Sequence, residues 1–148
     1  MCTKLFLNCM KLAVKKIYED AVLPTRAHAD DAGMDLYVYG EVVLPSGSTA
    51  PLPTGVAMEI PTGCVGLIWD KSSIGIKGLT TLGGVIDASY RGEVKVVMRN
   101  LTDAAVTFTH GQKIAQMLIQ KVELPEIEEV GVVSETKRGE GGFGSTGK

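Results

Sequence analysis

The chain has 148 residues, 45% of them hydrophobic and 22% charged, with a formal net charge of −2. That length makes one domain with a sizeable core, since a chain of this size buries about 68–70% of its unfolded surface. The small net charge excludes a basic field that would gather nucleic acid without sequence preference, while three cysteines (Cys2, Cys9, Cys64) and two isolated histidines (His28, His110) exclude a disulfide framework and a histidine-rich metal cluster.

An odd cysteine count fits a reducing compartment, so an intracellular, cytoplasmic protein is expected, or a nuclear one if the source is eukaryotic or viral. The opening stretch Met1 to Met10 is too short for a signal peptide, and no segment reaches the ~20 apolar residues of a membrane span. Met10 offers an alternative start, which leaves residues 1–9 as a disordered extension. Neither a membrane nor a nucleic acid is expected as a partner. The sequon Asn100-Leu101-Thr102 is read as chance without a secretory signal.

Strand patterns dominate from Lys11 onward. Lys11 to Tyr18 is the first candidate, and Glu19 to Asp31 reads as loop. From Gly33 to Tyr39 the residues alternate, with Leu36 and Val38 on one face and Asp35, Tyr37 and Tyr39 on the other. Short strands are expected at Val42 to Leu44, Thr54 to Ile60 and Cys64 to Trp69, with Pro45-Ser46-Gly47 and Pro61-Thr62-Gly63 as turns. Only Ser72 to Gly78 could form a helical turn, and Gly75 weakens it. Val94, Val96 and Met98 share one face of a strand that ends near Asn100. Val106 to Thr109 and Ile114 to Val122 complete the set. Trp69 and the methionines Met34, Met58, Met98 and Met117 are expected in the core. Lys95 and Arg99 belong to an exposed or interface face. Turns every 8–12 residues or so mark an all-β chain. The expected fold is a jelly-roll-like, distorted β-barrel with at most one short helical turn, formed by residues 1–137 as a single domain.

Two stretches stand apart. The first is Gly84 to Gly92, the tip of a hairpin entered through Thr81 to Gly84 and left through Val94 to Asn100. It places Asp87 three residues before Tyr90. A carboxylate there can orient or deprotonate a water, and a ring can wall off a sugar. A plain type I turn with an Asx hydrogen bond accounts for the same spacing. The second is the glycine-rich end Arg138 to Lys148, which cannot bury enough surface to order itself and reads as a mobile arm or a frayed terminus. Gly142 to Gly147 matches G-x-G-x-x-G, and Gly142 to Lys148 begins a P-loop pattern. No helix can follow Lys148, so both folds are rejected. Glycine amides, hydroxyls and a lysine can still wrap phosphates as a nest.

Five motifs in order carry a resemblance. They are Ala32-Gly33-Met34-Asp35-Leu36, then Asp70-Lys71-Ser72-Ser73 with Lys77-Gly78, then Gly84-Val85-Ile86-Asp87 through Tyr90-Arg91-Gly92. The fourth is Gly111-Gln112-Lys113-Ile114-Ala115-Gln116-Met117, and the last runs from Arg138-Gly139 to Gly147. Together they span Lys11 to Lys148, and the chain resembles the trimeric dUTPases. The resemblance implies hydrolysis of dUTP to dUMP and pyrophosphate with Mg²⁺ as cofactor. That activity lowers dUTP, so that uracil stays out of DNA, and supplies dUMP for thymidylate synthesis. It further implies a homotrimer with shared active sites.

By the same resemblance Asp87 holds and activates the attacking water, and Tyr90 stacks under the deoxyribose. The backbone of Gly84, Val85 and Ile86 reads the uracil edge. Lys71, Ser72, Ser73 and Gln116 hold the phosphates. Asp35 sits near the metal, through water, while Mg²⁺ is held mainly by substrate phosphates. Arg138 reaches the γ phosphate, Phe143 closes over the uracil, and Gly144, Ser145 and Thr146 donate to phosphates. Residues 138–148 thus form an arm that completes the site. Arg91 is expected to be structural.

The chain departs from the pattern where Lys71 replaces the usual arginine, keeping the charge but losing the planar fork. Asp70 stands where proline is common, and Thr81 lies where some members place an asparagine. The rival readings are a dCTP deaminase or bifunctional deaminase on the same fold, for which Glu93 is the available but misplaced carboxylate, and a regulatory nucleotide-binding protein.

Overall fold

The computed structural model describes residues 10–141, and nearly all of its regular structure is strand. Phe143, Gly144, Ser145, Thr146 and the extension 1–9 lie outside the described residues. No helix among those described is long and apolar enough to cross a membrane.

Ten strands and one helical turn follow in order: β1 (Ala13–Lys16), β2 (Met34–Tyr37), β3 (Val42–Leu44), β4 (Thr49–Glu59), β5 (Cys64–Trp69), α1 (Ser72–Gly75), β6 (Leu79–Thr81), β7 (Val85–Ile86), β8 (Glu93–Asn100), β9 (Val106–Phe108) and β10 (Lys113–Lys121). One antiparallel sheet has the order β1-β4-β8-β6 and a second β2-β10-β5-β7, with β3 and β9 forming a ribbon of their own. This is the expected all-β, jelly-roll-like barrel with a single helical turn.

Alternation builds the core. Leu36, Leu44, Leu52, Val56, Val94, Val96, Met98, Phe108, Ile114 and Met117 are each at most 1% exposed, so both sheets turn one face inward. Met34, Met58, Met98 and Met117 are buried as expected.

Trp69 is not in the core. It is 57% exposed, whereas Ile68 beside it is 6% exposed. Successive strand residues point to opposite faces, so once Ile68 faces in, Trp69 must face out.

β4 begins five residues before the expected Thr54 (54 − 49), running through Pro51 and Pro53. Those prolines pair with Val97 and Lys95 of β8, while β1 covers only residues 56–59 of the opposite edge. A proline is tolerated where its missing N–H faces no partner. Between Pro53 and Ala57 the register slips at Gly55, whose φ is +70°. A Cβ there would lie 2.9 Å from the Ala21 methyl, so glycine is required at this bulge.

The hairpin has its expected base and an unexpected tip. Leu79, Thr80 and Thr81 pair with Asn100, Arg99 and Met98, and the Leu82 N–H donates to Val97 O at 2.9 Å. The chain then leaves this sheet at Gly83 and Gly84, with φ of +72° and +103°. Val85 and Ile86 join the other sheet, pairing with Leu67 and Gly66 of β5. A Cβ on Gly84 would stand 3.0 Å from both Cβ and O of Ile68. The tip therefore crosses from one sheet to the other through a passage only glycine fits.

Candidate active site

The tip carries the first cluster. Val85, Ile86, Asp87, Tyr90, Glu93 and Lys95 line an open cavity of about 260 Å³. The turn closes with Tyr90 N–H donating to Asp87 O at 3.1 Å. The Tyr90 hydroxyl donates to Glu93 O at 3.0 Å, which lays the ring over Gly92, where a Cβ would run into it. Arg91 donates to Ala88 O at 2.7 Å and Tyr90 O at 3.0 Å, which bears out its structural part. Asp87 is exposed on this lobe.

Glu93 is otherwise engaged. Its Oε1 accepts the Gly55 N–H at 2.9 Å, so it serves the β4 bulge. That leaves the deaminase reading without its carboxylate.

A second cluster lies across β2, β10 and the start of α1. Asp35 is 6% exposed, although the alternation of β2 sets it opposite Leu36. Its burial is made possible by two cations: Oδ1 accepts from Lys71 and Oδ2 from Lys113 at 2.6 Å. Burial raises the Asp35 carboxyl, but Lys113 and Lys71 outweigh it and hold the group below the ordinary carboxylate range. Asp35 reciprocally raises the Lys113 ammonium. Ser72 and Ser73 are exposed at the head of α1, one residue past Lys71. Gln116 sits opposite Asp35 and donates to Asp70 O at 2.8 Å. Gly33 exists to admit Gln116, since a Cβ there would collide with Gln116 Oε1.

Asp70 joins the two regions. Its carboxylate accepts the Thr81 N–H at 2.6 Å and the Thr80 hydroxyl at 2.8 Å. Burial raises its carboxyl, but these donors outweigh burial and leave it below the usual range. Asp70 thus fastens the turn before α1 to the strand that enters the hairpin. Neither Asp70 nor Lys113 stood out in the sequence as a site residue, because their partners are set by long-range strand register.

Gly84 and Val85 share a cavity with Asp70, but the Asp87 carboxylate lies apart from the phosphate cluster within one chain. Asp35, Gln116 and Trp69 form a row across β2, β10 and β5. Ile86 pairs with Gly66, which sets Asp87 level with Val65, four residues from that row (69 − 65). At strand spacing this is about 13 Å. Asp87 and Tyr90 therefore belong to one patch, and Lys71, Ser72, Ser73 and Gln116 to another. Arg138 joins neither: its Nε donates to Gly141 O at 2.7 Å within an exposed terminal segment.

For a metal, no group of three or more His, Cys, Asp or Glu side chains converges among the described residues. Both Asp35 oxygens are taken by lysines. This donor set does not form a resident cage. It fits a cation brought in on phosphate oxygens, with Asp35 as an outer carboxylate.

The family model described as dUTPase matches residues 19–147. The chain is 47% identical over 145 residues to the deoxyuridine 5'-triphosphate nucleotidohydrolase of Mycolicibacterium gilvum (strain PYR-GCK), covering 92% of this chain and 94% of that one. Among solved structures, a mutant dUTPase of Staphylococcus bacteriophage 80alpha with dUpNHpp superposes with a TM-score of 0.88 at 30% identity, covering 93% of this chain and 99% of that one. A mutant dUTPase of S. aureus phage phi11, described with a structural Mg(II) ion, gives a TM-score of 0.79 at 28% identity over 85% of this chain and 100% of that one.

Proposed function

The chain belongs to the dUTPase family and is a dUTP diphosphatase, and from that premise we infer how its residues divide the work. It hydrolyses dUTP to dUMP and pyrophosphate. The single observation that carries the division is the register, which sets Asp87 four residues along and two strands across from Gln116, roughly 16 Å of sheet. Within one chain the Asp87 carboxylate stands apart from the phosphate donors, so each active site combines patches from different copies in a homotrimer. Apolar surface supports such an assembly: Trp69 is 57% exposed, Val85 66%, Leu124 81% and Ile127 100%.

In the shared site the main chain of Gly84, Val85 and Ile86 presents hydrogen-bonding groups to the uracil edge. A site built to pair with a base rejects analogues that leave its groups unpaired. Tyr90, laid over Gly92, gives the deoxyribose a flat floor. Asp87 is the general base: its carboxylate takes a proton from water as the water oxygen bonds to phosphorus. The bond bridging the α and β phosphates breaks, and pyrophosphate leaves with the bridging oxygen. Such chemistry needs positioning and charge neutralisation more than covalent help. Lys71, Ser72, Ser73 and Gln116 supply donors and positive charge to the phosphates.

Mg²⁺, where bound, would supply further charge neutralisation on the triphosphate, and Asp35 would be the carboxylate that holds it, through water. Residues 1–137 act as the barrel domain, its first nine residues being an extension. Residues 138–148 act as an arm, in which Arg138 serves the γ phosphate, Phe143 covers the base, and Gly144, Ser145 and Thr146 donate to phosphates. By this reading the enzyme works in the cytoplasm.

The test is pyrophosphate release from dUTP, dCTP, dTTP and UTP, with Mg²⁺ and then with EDTA. Strong preference for dUTP that EDTA suppresses is the expected result. Equal release from UTP would remove Tyr90 from its place under the sugar. Deleting residues 138–148 should leave a folded trimer with little activity, and a monomer would show the arm to be structural.

A further inference from the structure

Lys113 has no part in the scheme above, yet it is built into the phosphate patch. It opens β10, where a bulge against β2 sets Lys113 opposite Tyr37 and Ala115 opposite Leu36. That irregularity brings its Nζ to 2.6 Å from Asp35 Oδ2 and 6.0 Å from the centre of the Tyr37 ring. Tyr37 is itself fixed by a 2.5 Å hydrogen bond between its hydroxyl and that of Thr25. On the other side Lys71 holds Asp35 Oδ1.

The charges decide what this arrangement does. One carboxylate and two ammonium groups sum to +1. Remove Lys113, and Asp35 cancels Lys71. Lys71 is also the more enclosed of the two cations, with its side chain 23% exposed against 46% for Lys113. Its charge therefore depends on what else Asp35 is paired with. We propose that Lys113 is a positioning residue for the triphosphate: by holding and neutralising Asp35, it leaves the charge of Lys71 available to the phosphates. This rests on the assignment of Lys71 to phosphate binding.

The experiment measures binding of the non-hydrolysable analogue dUpNHpp by calorimetry in EDTA, so that no metal enters the comparison. Lys113→Met should weaken binding about fivefold at low salt, with a shallower dependence of affinity on salt. Lys113→Arg should bind as the wild type does. The decisive variant is the double substitution Asp35→Asn with Lys113→Met, which again leaves +1 on the patch and should recover affinity to within about twofold of wild type. A double variant no better than Lys113→Met overturns the proposal, because Lys113 would then act on phosphate directly or only on folding. Unchanged binding by Lys113→Met, with or without a lower melting temperature, overturns it as well. Lys71→Met separates the two levels of the argument: unaltered binding by that variant would remove the phosphate assignment itself.

Discussion

The Thr81 N–H donates to Asp70 Oδ1 at 2.6 Å, and this bond ties the turn that carries Lys71, Ser72 and Ser73 to the strand that enters the hairpin. Thr80 adds its hydroxyl at 2.8 Å. Asp70 also presents its carbonyl oxygen to the Gln116 side-chain amide, which donates to it at 2.8 Å. One residue thus positions parts of both patches.

Asp70→Asn keeps the shape but loses the charge: its amide oxygen accepts the Thr81 N–H, and its NH2 faces the Thr80 hydroxyl, which must turn from donor to acceptor. It should destabilise the fold by about 1–3 kcal/mol, read as a lower midpoint in urea. It should also change the response to acid. Asp35 and Asp70 both have carboxyls held below the ordinary range in the folded protein. As pH falls, the unfolded chain takes up their protons first, so their contribution is complete above the unfolded pKa and lost through the folded one. Stability should be flat from neutral pH to about 5 and fall below about 4. In Asp70→Asn that fall should be shallower, and an identical acid slope would show that Asp70 does not contribute.

Asp87→Asn should cut kcat by at least about a hundredfold while dUpNHpp binds with near-normal affinity. The side chain is exposed on the tip, so the variant should melt with the wild type. A kcat within a few-fold of wild type would remove Asp87 from its role as base.

Much of this was legible in the sequence, for physical reasons. Val94, Val96 and Met98 alternate cleanly, and β8 appears where they do, with all three at 0% exposure. Asp87 and Tyr90 are three apart in a glycine-flanked turn, and the turn is local, so their proximity needs no register. What lay hidden depends on parity and on distant pairing. Trp69 looks like core by size, but Ile68 fixes which face points inward. Pro51 and Pro53 look like strand breakers until β1 is seen to leave that edge of β4 uncovered. Asp35 meets Lys113 only because β2 and β10 pair across a bulge. The order of the motifs along the chain carries no trace of the gap between Asp87 and Gln116, since that gap is set by where β7 lands on β5.

Gly33→Ala is a local probe of the phosphate patch. The new methyl would collide with Gln116 Oε1, the far end of a flexible side chain, so the cost falls on Gln116 placement rather than on the fold. We expect kcat/KM to drop about tenfold or more, with the melting temperature shifted by only a few degrees. Gln116→Ala should give a similar loss, and the double variant should lose little more than either alone, because both remove one interaction. Fully additive losses would place Gly33 and Gln116 in separate roles.

Division of the site between copies makes the sharpest demand on activity. Asp87→Asn removes the base from the nucleoside patch, and Gln116→Ala removes a donor from the phosphate patch. Asp87→Asn alone should be nearly inactive, and Gln116→Ala should keep no more than about a tenth of the wild-type activity. If a site takes its two patches from different chains, unfolding the two variants together and refolding them as a mixture should create some sites with both patches intact. The mixture should then release pyrophosphate from dUTP well above the average of the two variants, while the same variants mixed without unfolding show only that average. If each chain used its own Asp87 with its own Gln116, no site in the mixture could hold both, and refolding together would restore nothing.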